Sequence, residues 1–122
     1  MKDEKLTVVI GASENPARYA NLAVRQLKRH GHKVVPIGLK QGFIEDIPIV
    51  VGKPELKNVE TVTLYLNQKR QQEYHDFILN LHPKRIIFNP GAENPVLEKL
   101  ATEKGIEPLE ACTLVMLSTG QY

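Results

Sequence analysis

The order of secondary structure at the start of the chain restricts the fold most strongly. Leu6 to Ile10 (LTVVI) is a short β-branched run that stops at a glycine, as a buried strand does. Asn15 and Pro16 predict a helix start, with an N-cap before a proline at the first helical position. Gly31 ends that helix, and Lys33 to Ile37 is a second strand. Strand, helix and strand in this order predict a βαβ unit with two parallel strands.

The same alternation continues along the rest of the chain. Further strands are predicted at Ile47 to Val51, Thr61 to Leu66, Arg85 to Phe88 and Ile106 to Leu109. Helices are predicted at Gln71 to Leu81, from Asn94-Pro95 to Gly105, and over the apolar tail Cys112 to Leu117. Pro48 favours a sheet edge or a strand start for its strand. Alternating strands and helices predict a parallel sheet covered by helices on both faces, which binds ligands beyond the carboxyl ends of its strands.

Composition and charge narrow the class of protein. With 42% apolar and 25% charged residues, the 122-residue chain fits one globular domain, expected over residues 1–122. No apolar run approaches the roughly 20 residues that a membrane helix needs. The single cysteine excludes a disulfide scaffold and, without a recognisable export signal, predicts a cytoplasmic protein. The net charge of +2, with acids among the bases and no Trp, argues against a nucleic-acid partner.

The segment between the first strand and the first helix has the features of a phosphate-binding turn. Gly11 permits a tight turn and close approach of a ligand, and the helix N-terminus offers unpaired N–H groups. Ser13 adds a hydroxyl and Arg18 a planar fork of donors. A glycine turn capped by Asn15, with Arg18 in solvent, explains the same residues, so both interpretations stay open at this point.

Two features argue against NAD as the ligand. Only the first glycine of the G-x-G-x-x-G fingerprint is present. The second strand ends in Val35-Pro36-Ile37-Gly38, where an NAD enzyme places an acid for the ribose hydroxyls. A divergent NAD(P)-binding domain is kept as a competing hypothesis.

The run VVIGASENPARYANLAVRQLKRHGHKVVPIG resembles the opening of the small CoA-binding protein family. The later stretches FNPGAEN and KGIEPLEACT resemble that family's fifth-strand turn and its cysteine-bearing C-terminal segment. Its members are single-domain Rossmann-like proteins, similar to the CoA-binding domain of the succinyl-CoA synthetase α subunit. The resemblance covers nearly the whole chain. It implies an α/β, three-layer open sheet of about five parallel strands with helices on both faces, binding CoA, acyl-CoA or a related nucleotide.

The resemblance also implies which residues hold that ligand. They are Gly11, Ala12 and Ser13 at the diphosphate turn; Asn15, Pro16 and Arg18 beside it; Pro36, Gly38 and Lys40 around the end of the second strand; Leu66 and Asn67 on the adenine or pantetheine path; and Asn89, Gly91 and Asn94 on the later turn. Lys40 resembles the basic residue that faces the nucleotide phosphates. One departure is Gly38-Leu39, where many members have Asn-Pro after the strand-two proline.

No catalytic group is apparent beside these residues. In succinyl-CoA synthetase a phosphohistidine of another domain does the chemistry. The histidines here, His30, His32, His75 and His82, are predicted to be solvated surface groups and lack metal-ligand spacing. Cys112 is predicted to be a small buried residue. We therefore expect a binding protein without chemistry of its own, with a protein partner or homodimer left open. The alternative is a thiol, acyl-transfer or redox protein that uses Cys112.

Overall fold

The computed structural model describes residues 5–122, so the first four residues of the expected domain lie outside it. Its strands are β1 (Leu6–Ala12), β2 (Lys33–Gly38), β3 (Gly42–Ile44), β4 (Ile47–Val51), β5 (Val59–Leu64), β6 (Arg85–Phe88) and β7 (Glu107–Glu110). Its α-helices are α1 (Tyr19–Arg29), α2 (Gln68–Gln71), α3 (His75–Asn80), α4 (Pro95–Glu103) and α5 (Thr113–Ser118). A single 3₁₀ turn, Gln72–Tyr74, joins α2 to α3.

All these strands form one sheet in the order β3-β4-β2-β1-β5-β6-β7. Every neighbouring pair is parallel except β3 and β4, which form an antiparallel hairpin. The predicted α/β fold is confirmed, with seven strands in the described residues rather than about five. Of the two positions that Pro48 favours, the strand start is the one observed, because Pro48 is the second residue of β4. The edge position is wrong, because β3 covers the outer side of β4. Pro48 is tolerated because β2 pairs only with Val50 and Val51, beyond the proline.

Helices cover both faces of the sheet, because alternate side chains of β1 pack against helices on opposite sides. Val8 and Ile10 point into an apolar cluster that contains Ile78 of α3 and Leu97 of α4. Val9 points the opposite way, into a cluster with α1. The side chains that α1 and α5 contribute to that second cluster are Ala20, Val24, Leu27 and Leu117. The three predicted layers are therefore present, and β1 is buried on both faces.

The first helix begins later than the sequence predicts. Asn15 and Pro16 do not open it, because α1 starts at Tyr19 and Arg18 occupies the N-cap position. Asn15 instead closes a turn of its own: its Oδ1 accepts from the Ala17 N–H at 3.0 Å and its carbonyl from the Arg18 N–H at 3.1 Å. Asparagine side chains form such local turns in competition with helix capping. This turn lengthens the loop between β1 and α1.

The predicted helix over Gln71 to Leu81 is replaced by α2, the 3₁₀ turn and α3. Asn67 starts the helical stretch earlier than predicted, because its side chain accepts from the Arg70 N–H at 3.0 Å. Tyr74 and Ile78 are buried on the predicted inward face despite the break. The tail forms α5 as predicted, with Cys112 at its N-cap.

We expect Gly38→Ala to lower the free energy of unfolding by about 1–3 kcal/mol, the usual penalty of overpacking. A Cβ at this position would overlap the Ala12 carbonyl oxygen, which belongs to the neighbouring strand and cannot move alone. Urea unfolding followed by circular dichroism measures the change.

Gly42→Ala is the matched control. A Cβ there would overlap only the carboxylate end of Glu14, a flexible side chain that can turn away. We therefore expect a smaller loss for Gly42→Ala. Equal losses for the two variants would contradict a backbone clash at Gly38.

Candidate functional site

A cleft of about 890 Å³ opens at the carboxyl ends of β1, β2 and β5. It lies where the strand order reverses beside β1, the usual ligand position in an open parallel sheet. Its volume is in the range of small-molecule and cofactor sites. The residues that line it are Gly11, Ala12, Ser13, Glu14, Arg18, Gly38, Leu39, Lys40, Tyr65, Leu66, Asn67, Arg70, Glu73 and Tyr74.

The cleft brings together eight of the predicted site residues from three separate loops. These are Gly11, Ala12, Ser13, Arg18, Gly38, Lys40, Leu66 and Asn67. Asn15 and Pro16 lie in the adjoining turn and are exposed. Pro36 is buried within β2, opposite Val9 of β1. Asn89, Gly91 and Asn94 lie on the loop after β6, outside the cleft lining.

The turn after β1 requires glycine. Gly11 has φ of 102°, in the region that favours glycine, and the sheet register shifts between Ile10 and Ala12. A Cβ on Gly11 would come within 3.1 Å of the Tyr65 backbone. The backbone therefore turns sharply at the floor of the cleft, where it packs directly against the residues that follow β5.

Asn21 of α1 holds this turn in place, which the sequence analysis did not find. Its side chain is only 3% exposed and donates to the Ser13 carbonyl at 2.8 Å. Its Oδ1 accepts from Arg25 Nε at 2.8 Å. Ser13 Oγ accepts from the Asn15 N–H at 3.1 Å, which leaves its own proton available to donate. The sequence signal that could have identified Asn21 is its position as a polar residue among the apolar residues on the buried face of α1.

Three cationic side chains line the cleft: Arg18, Lys40 and Arg70. Within residues 5–122, none of their charged groups forms an ion pair or a hydrogen bond. The Glu14 carboxylate is occupied elsewhere, because its Oε2 accepts from the Phe43 N–H of β3 at 2.9 Å. The cleft therefore presents basic groups to an anionic ligand. Arg70 was missed, although Asn67, three residues earlier, marks the helix start that places it there.

Similarity to known proteins agrees with this geometry. The sequence model of the CoA binding domain matches residues 5–118. The chain belongs to this family. No curated protein gives a significant match.

Solved structures resemble this CoA-binding domain over nearly its full length. An uncharacterized protein is 46% identical, with a TM-score of 0.94, over 99% of this chain and 100% of the other. A Thermus thermophilus protein, cell-free ID.343, is 22% identical with a TM-score of 0.83, over 98% of this chain and 91% of the other. A dinucleotide-forming acetyl-coenzyme A synthetase of Ca. Korarchaeum cryptofilum is 19% identical with a TM-score of 0.68. That likeness covers 87% of this chain but 25% of the synthetase.

Beneath the cleft, the CoA-binding domain carries a buried amide network centred on Gln71, which is fully buried. Gln71 Nε2 donates to the carbonyls of Leu66 and Ala92, each at 2.7 Å. Its Oε1 accepts from Asn94 Nδ2 at 2.9 Å, and Asn94 Oδ1 caps α4 by accepting from the Leu97 N–H. These bonds tie the loop after β5, which lines the cleft, to the loop after β6.

Asn89 anchors the last helix in a similar way. Its Nδ2 donates to Thr63 Oγ1 at 2.6 Å and to the Leu64 carbonyl at 2.9 Å. Its Oδ1 accepts from the Thr113 N–H at 2.8 Å. Asn89 and Asn94 are 2% and 0% exposed, so in this structure their side chains hold the loops together and do not face the cleft.

Cys112, beside Thr113, is half-buried and does not line the cleft. The expectation that it is a small buried residue is therefore met only in part, because it lies in the connection between β7 and α5. Tyr65, which does line the cleft, is close to it, and burial raises the pKa of the Tyr65 phenol far above its ordinary value. The phenol is therefore neutral at physiological pH and does not act as a general base.

The histidines are only partly solvated. His30 and His82 are exposed as expected. His32 is half-buried against the Tyr122 ring, with 4.8 Å between the ring centroids, and burial lowers the pKa of its imidazole. His75 is also half-buried, with its Nε2 3.1 Å from Asn94 Nδ2. Among the described residues, no group of three metal-ligating side chains comes together. No helix in that part of the chain is long and apolar enough to cross a membrane.

Two acids near the carboxyl ends of β6 and β7 have partners outside the cleft. Glu93 Oε1 accepts from the Gly91 N–H at 3.0 Å. Glu110, at the end of β7, faces Glu98 of α4. Burial, followed by the hydrogen bond and the charge of Glu110, raises the pKa of the Glu98 carboxyl. These carboxyls are not cleft residues.

We expect Gln71→Leu to lower the free energy of unfolding by about 2–5 kcal/mol, because unpaired buried polar groups each cost about 1–3 kcal/mol. The change leaves the Leu66 and Ala92 carbonyls and one Asn94 N–H without their partner. Urea unfolding measures it, with the exposed neighbour in Gln72→Leu as the control. Similar stabilities for the two variants would show that the network contributes little.

We expect Glu98→Gln to raise the free energy of unfolding at pH 7, by less than about 1 kcal/mol because solvent screens a half-exposed pair. The pKa of Glu98 is higher in the folded state than its ordinary value of 4.5. The charged carboxylate therefore destabilises the fold above the folded-state pKa. This destabilisation is absent below pH 4.5, where the carboxyl is protonated in both the folded and the unfolded state. Urea unfolding at about pH 3 should therefore show no gain. The exposed acid in Glu103→Gln is the control, and a gain that persists at acid pH would contradict this cause.

Proposed function

We propose that the protein is a small cytoplasmic CoA-binding protein that holds CoA or an acyl-CoA at the turn after β1 and does no chemistry of its own. One observation carries the proposal: the Gly11 turn opens into a cleft with three unpaired cations, in a chain that belongs to the CoA-binding domain family. A nucleotide, whose phosphates are anionic, is the ligand class that fits the positive charge of this cleft.

The residues of the turn fit a diphosphate. Gly11 provides the positive φ that turns the backbone at the floor of the cleft, close to where the phosphates are proposed to bind. Arg18, at the N-cap of α1, adds a bidentate donor where the helix N-terminus already favours an anion. The Ser13 hydroxyl has a proton to donate. Asn21 holds the Ser13 backbone before any ligand arrives, and such preorganisation lowers the entropic cost of binding.

The end of β2 supports CoA over NAD. Gly38 is packed against the Ala12 carbonyl, and Leu39 and Lys40 follow it, so the strand end itself carries no carboxylate for ribose hydroxyls. The Glu14 carboxylate of the cleft accepts instead from the Phe43 N–H. Lys40 offers a cation at the strand end, which suits a phosphorylated ribose.

We expect calorimetric titration to give tighter binding for CoA than for NAD. The reason is that three cations in the cleft suit phosphates, while the end of β2 carries no acid for the NAD ribose. Mass spectrometry of the natively purified protein gives an independent measurement through any co-purified nucleotide. Submicromolar NAD binding without CoA binding would overturn the proposal in favour of a divergent NAD(P)-binding domain.

We expect Arg18→Ala to weaken CoA binding by about ten- to a hundredfold, since a hydrogen bond to a charged group contributes roughly 1.5–3 kcal/mol and each 1.4 kcal/mol is tenfold. Arg18→Lys should recover only part of this, because an ammonium keeps the charge and loses the fork. Titrations at two salt concentrations measure both.

Arg29→Ala is the matched control for charge. Arg29 is an exposed cation at the other end of the same helix. Its loss should leave CoA affinity close to that of the wild type. Equal effects of Arg18→Ala and Arg29→Ala would show that only the overall charge matters.

We expect Cys112→Ser to leave CoA affinity within about threefold, which is under 1 kcal/mol. Cys112 does not line the cleft, and its backbone, not its thiol, begins α5. Calorimetry measures the affinity, and incubation with an acyl-CoA followed by mass spectrometry detects any acyl-enzyme. Acyl transfer to the wild type that is absent from Cys112→Ser would favour the thiol or acyl-transfer alternative.

A further inference from the structure

We propose that Arg70 binds a second anionic group of the ligand, separate from the diphosphate, on the β5 side of the cleft. The inference rests on the proposed function and adds to it a residue that determines which CoA derivative is preferred. Arg70 lies in α2, directly after the loop that leaves β5. It was not among the residues that the family resemblance implied.

The strand order places the three cleft cations in a row. Lys40 follows β2, Arg18 follows β1 and Arg70 follows β5, and these strands are neighbours in the order β2-β1-β5. Arg18 is therefore in the middle, beside the Gly11 turn. A diphosphate at that turn uses the central cation, so Lys40 and Arg70 face the parts of the ligand on either side of it.

The backbone of Arg70 is fixed while its guanidinium is free. Its N–H donates to Asn67 Oδ1 at 3.0 Å, and the next residue, Gln71, is fully buried and bonded to two loops. Within residues 5–122 the guanidinium has no hydrogen bond or ion pair, even though Glu73 lines the same cleft. An anion that reaches it therefore displaces no internal partner.

Cations at the opposite end of the sheet have partners. Lys28 Nζ is 2.6 Å from Asp46 Oδ1 and 3.5 Å from Glu45 Oε1. Lys5 Nζ is 3.1 Å from Glu60 Oε2. These two lysines are paired with acids, whereas the Arg70 guanidinium makes no such pair within residues 5–122.

The chemistry that suits Arg70 is an oxyanion with two acceptor atoms, which the planar guanidinium binds through parallel hydrogen bonds. CoA derivatives offer two such groups besides the diphosphate. One is the phosphate on the ribose 3′ oxygen. The other is the terminal carboxylate of a dicarboxylic acyl group, at the opposite end of the molecule. Either group can accept both hydrogen bonds from the guanidinium, and CoA derivatives that lack one group or the other distinguish between them.

The test compares wild type with Arg70→Gln by calorimetric titration against CoA, 3′-dephospho-CoA, acetyl-CoA and succinyl-CoA. We expect Arg70→Gln to lower one of two affinity ratios, either CoA over dephospho-CoA or succinyl-CoA over acetyl-CoA. The expected change is about tenfold, which corresponds to about 1.4 kcal/mol. Loss for CoA with no loss for dephospho-CoA identifies the 3′-phosphate. Loss for succinyl-CoA with no loss for acetyl-CoA identifies the carboxylate. Arg70→Lys should restore part of the affinity in either case.

Lys69→Gln is the matched control, because it removes the same charge from the adjacent residue, which does not line the cleft. Thermal unfolding should be the same for wild type and Arg70→Gln. The inference is overturned if Arg70→Gln binds all four ligands like the wild type, or if it loses affinity equally for all four. Failure of the wild type to bind any of them would instead overturn the proposed function itself.

Discussion

Burial of β1 on both faces is the constraint on which the rest of the molecule depends. Val8, Val9 and Ile10 are fully buried, with adjacent side chains in opposite apolar clusters. A strand with no exposed face needs a helical layer on each side, which a parallel sheet with crossover helices provides. The carboxyl end of such a strand is the place where the chain can leave the core. In this protein it leaves at Gly11, and that exit forms the floor of the cleft.

Buried carboxamides connect the loops around that exit. Asn21 holds the turn after β1, Gln71 joins the loops after β5 and β6, and Asn89 joins β5, β6 and α5. Each amide donates and accepts at once, so it satisfies backbone groups that would otherwise be buried unpaired. Neutral groups do this without placing a fixed charge beside an anionic ligand. The cleft therefore has a rigid polar base, and its net charge comes from the cations on its rim.

The sequence predicted the parts of the fold that depend on local pattern. β-Branched runs ended by glycine or proline marked most of the strands, and Asn94-Pro95 marked α4 because Asn94 does cap it. Long-range contacts decided the rest. The β3–β4 hairpin depends on Phe43 donating to Glu14, 29 residues away, and no local pattern indicates that bond. Gln71 was predicted to open a helix, but it ends α2, where its side chain is bonded to the Leu66 and Ala92 carbonyls.

For the candidate site too, the sequence predicted the residues that local spacing places and missed what depends on side-chain direction or long-range contacts. Residues on the first turn were found from their spacing, since Gly11, Ser13 and Arg18 follow directly from the strand end. Asn89 and Asn94 also follow a strand end, but their amides turn inward, and sequence position alone does not reveal the direction of a side chain. Arg70 reaches the cleft only because α2 begins at Asn67.

Basic side chains at the two ends of the sheet differ in their contacts with the rest of the protein. This difference indicates which of them contribute to folding and which are available to a ligand. At the amino end, Arg85 donates to Thr61 Oγ1 and to the Tyr122 carbonyl and lies 4.4 Å from the Tyr122 ring centroid. That guanidinium contributes to the folded structure through these contacts. At the carboxyl end, Arg18 and Arg70 make no such contacts among the described residues, so folding gains little from them. Under the proposed function, these cations act through the anion that they attract, and we then expect screening by salt to affect ligand affinity far more than stability.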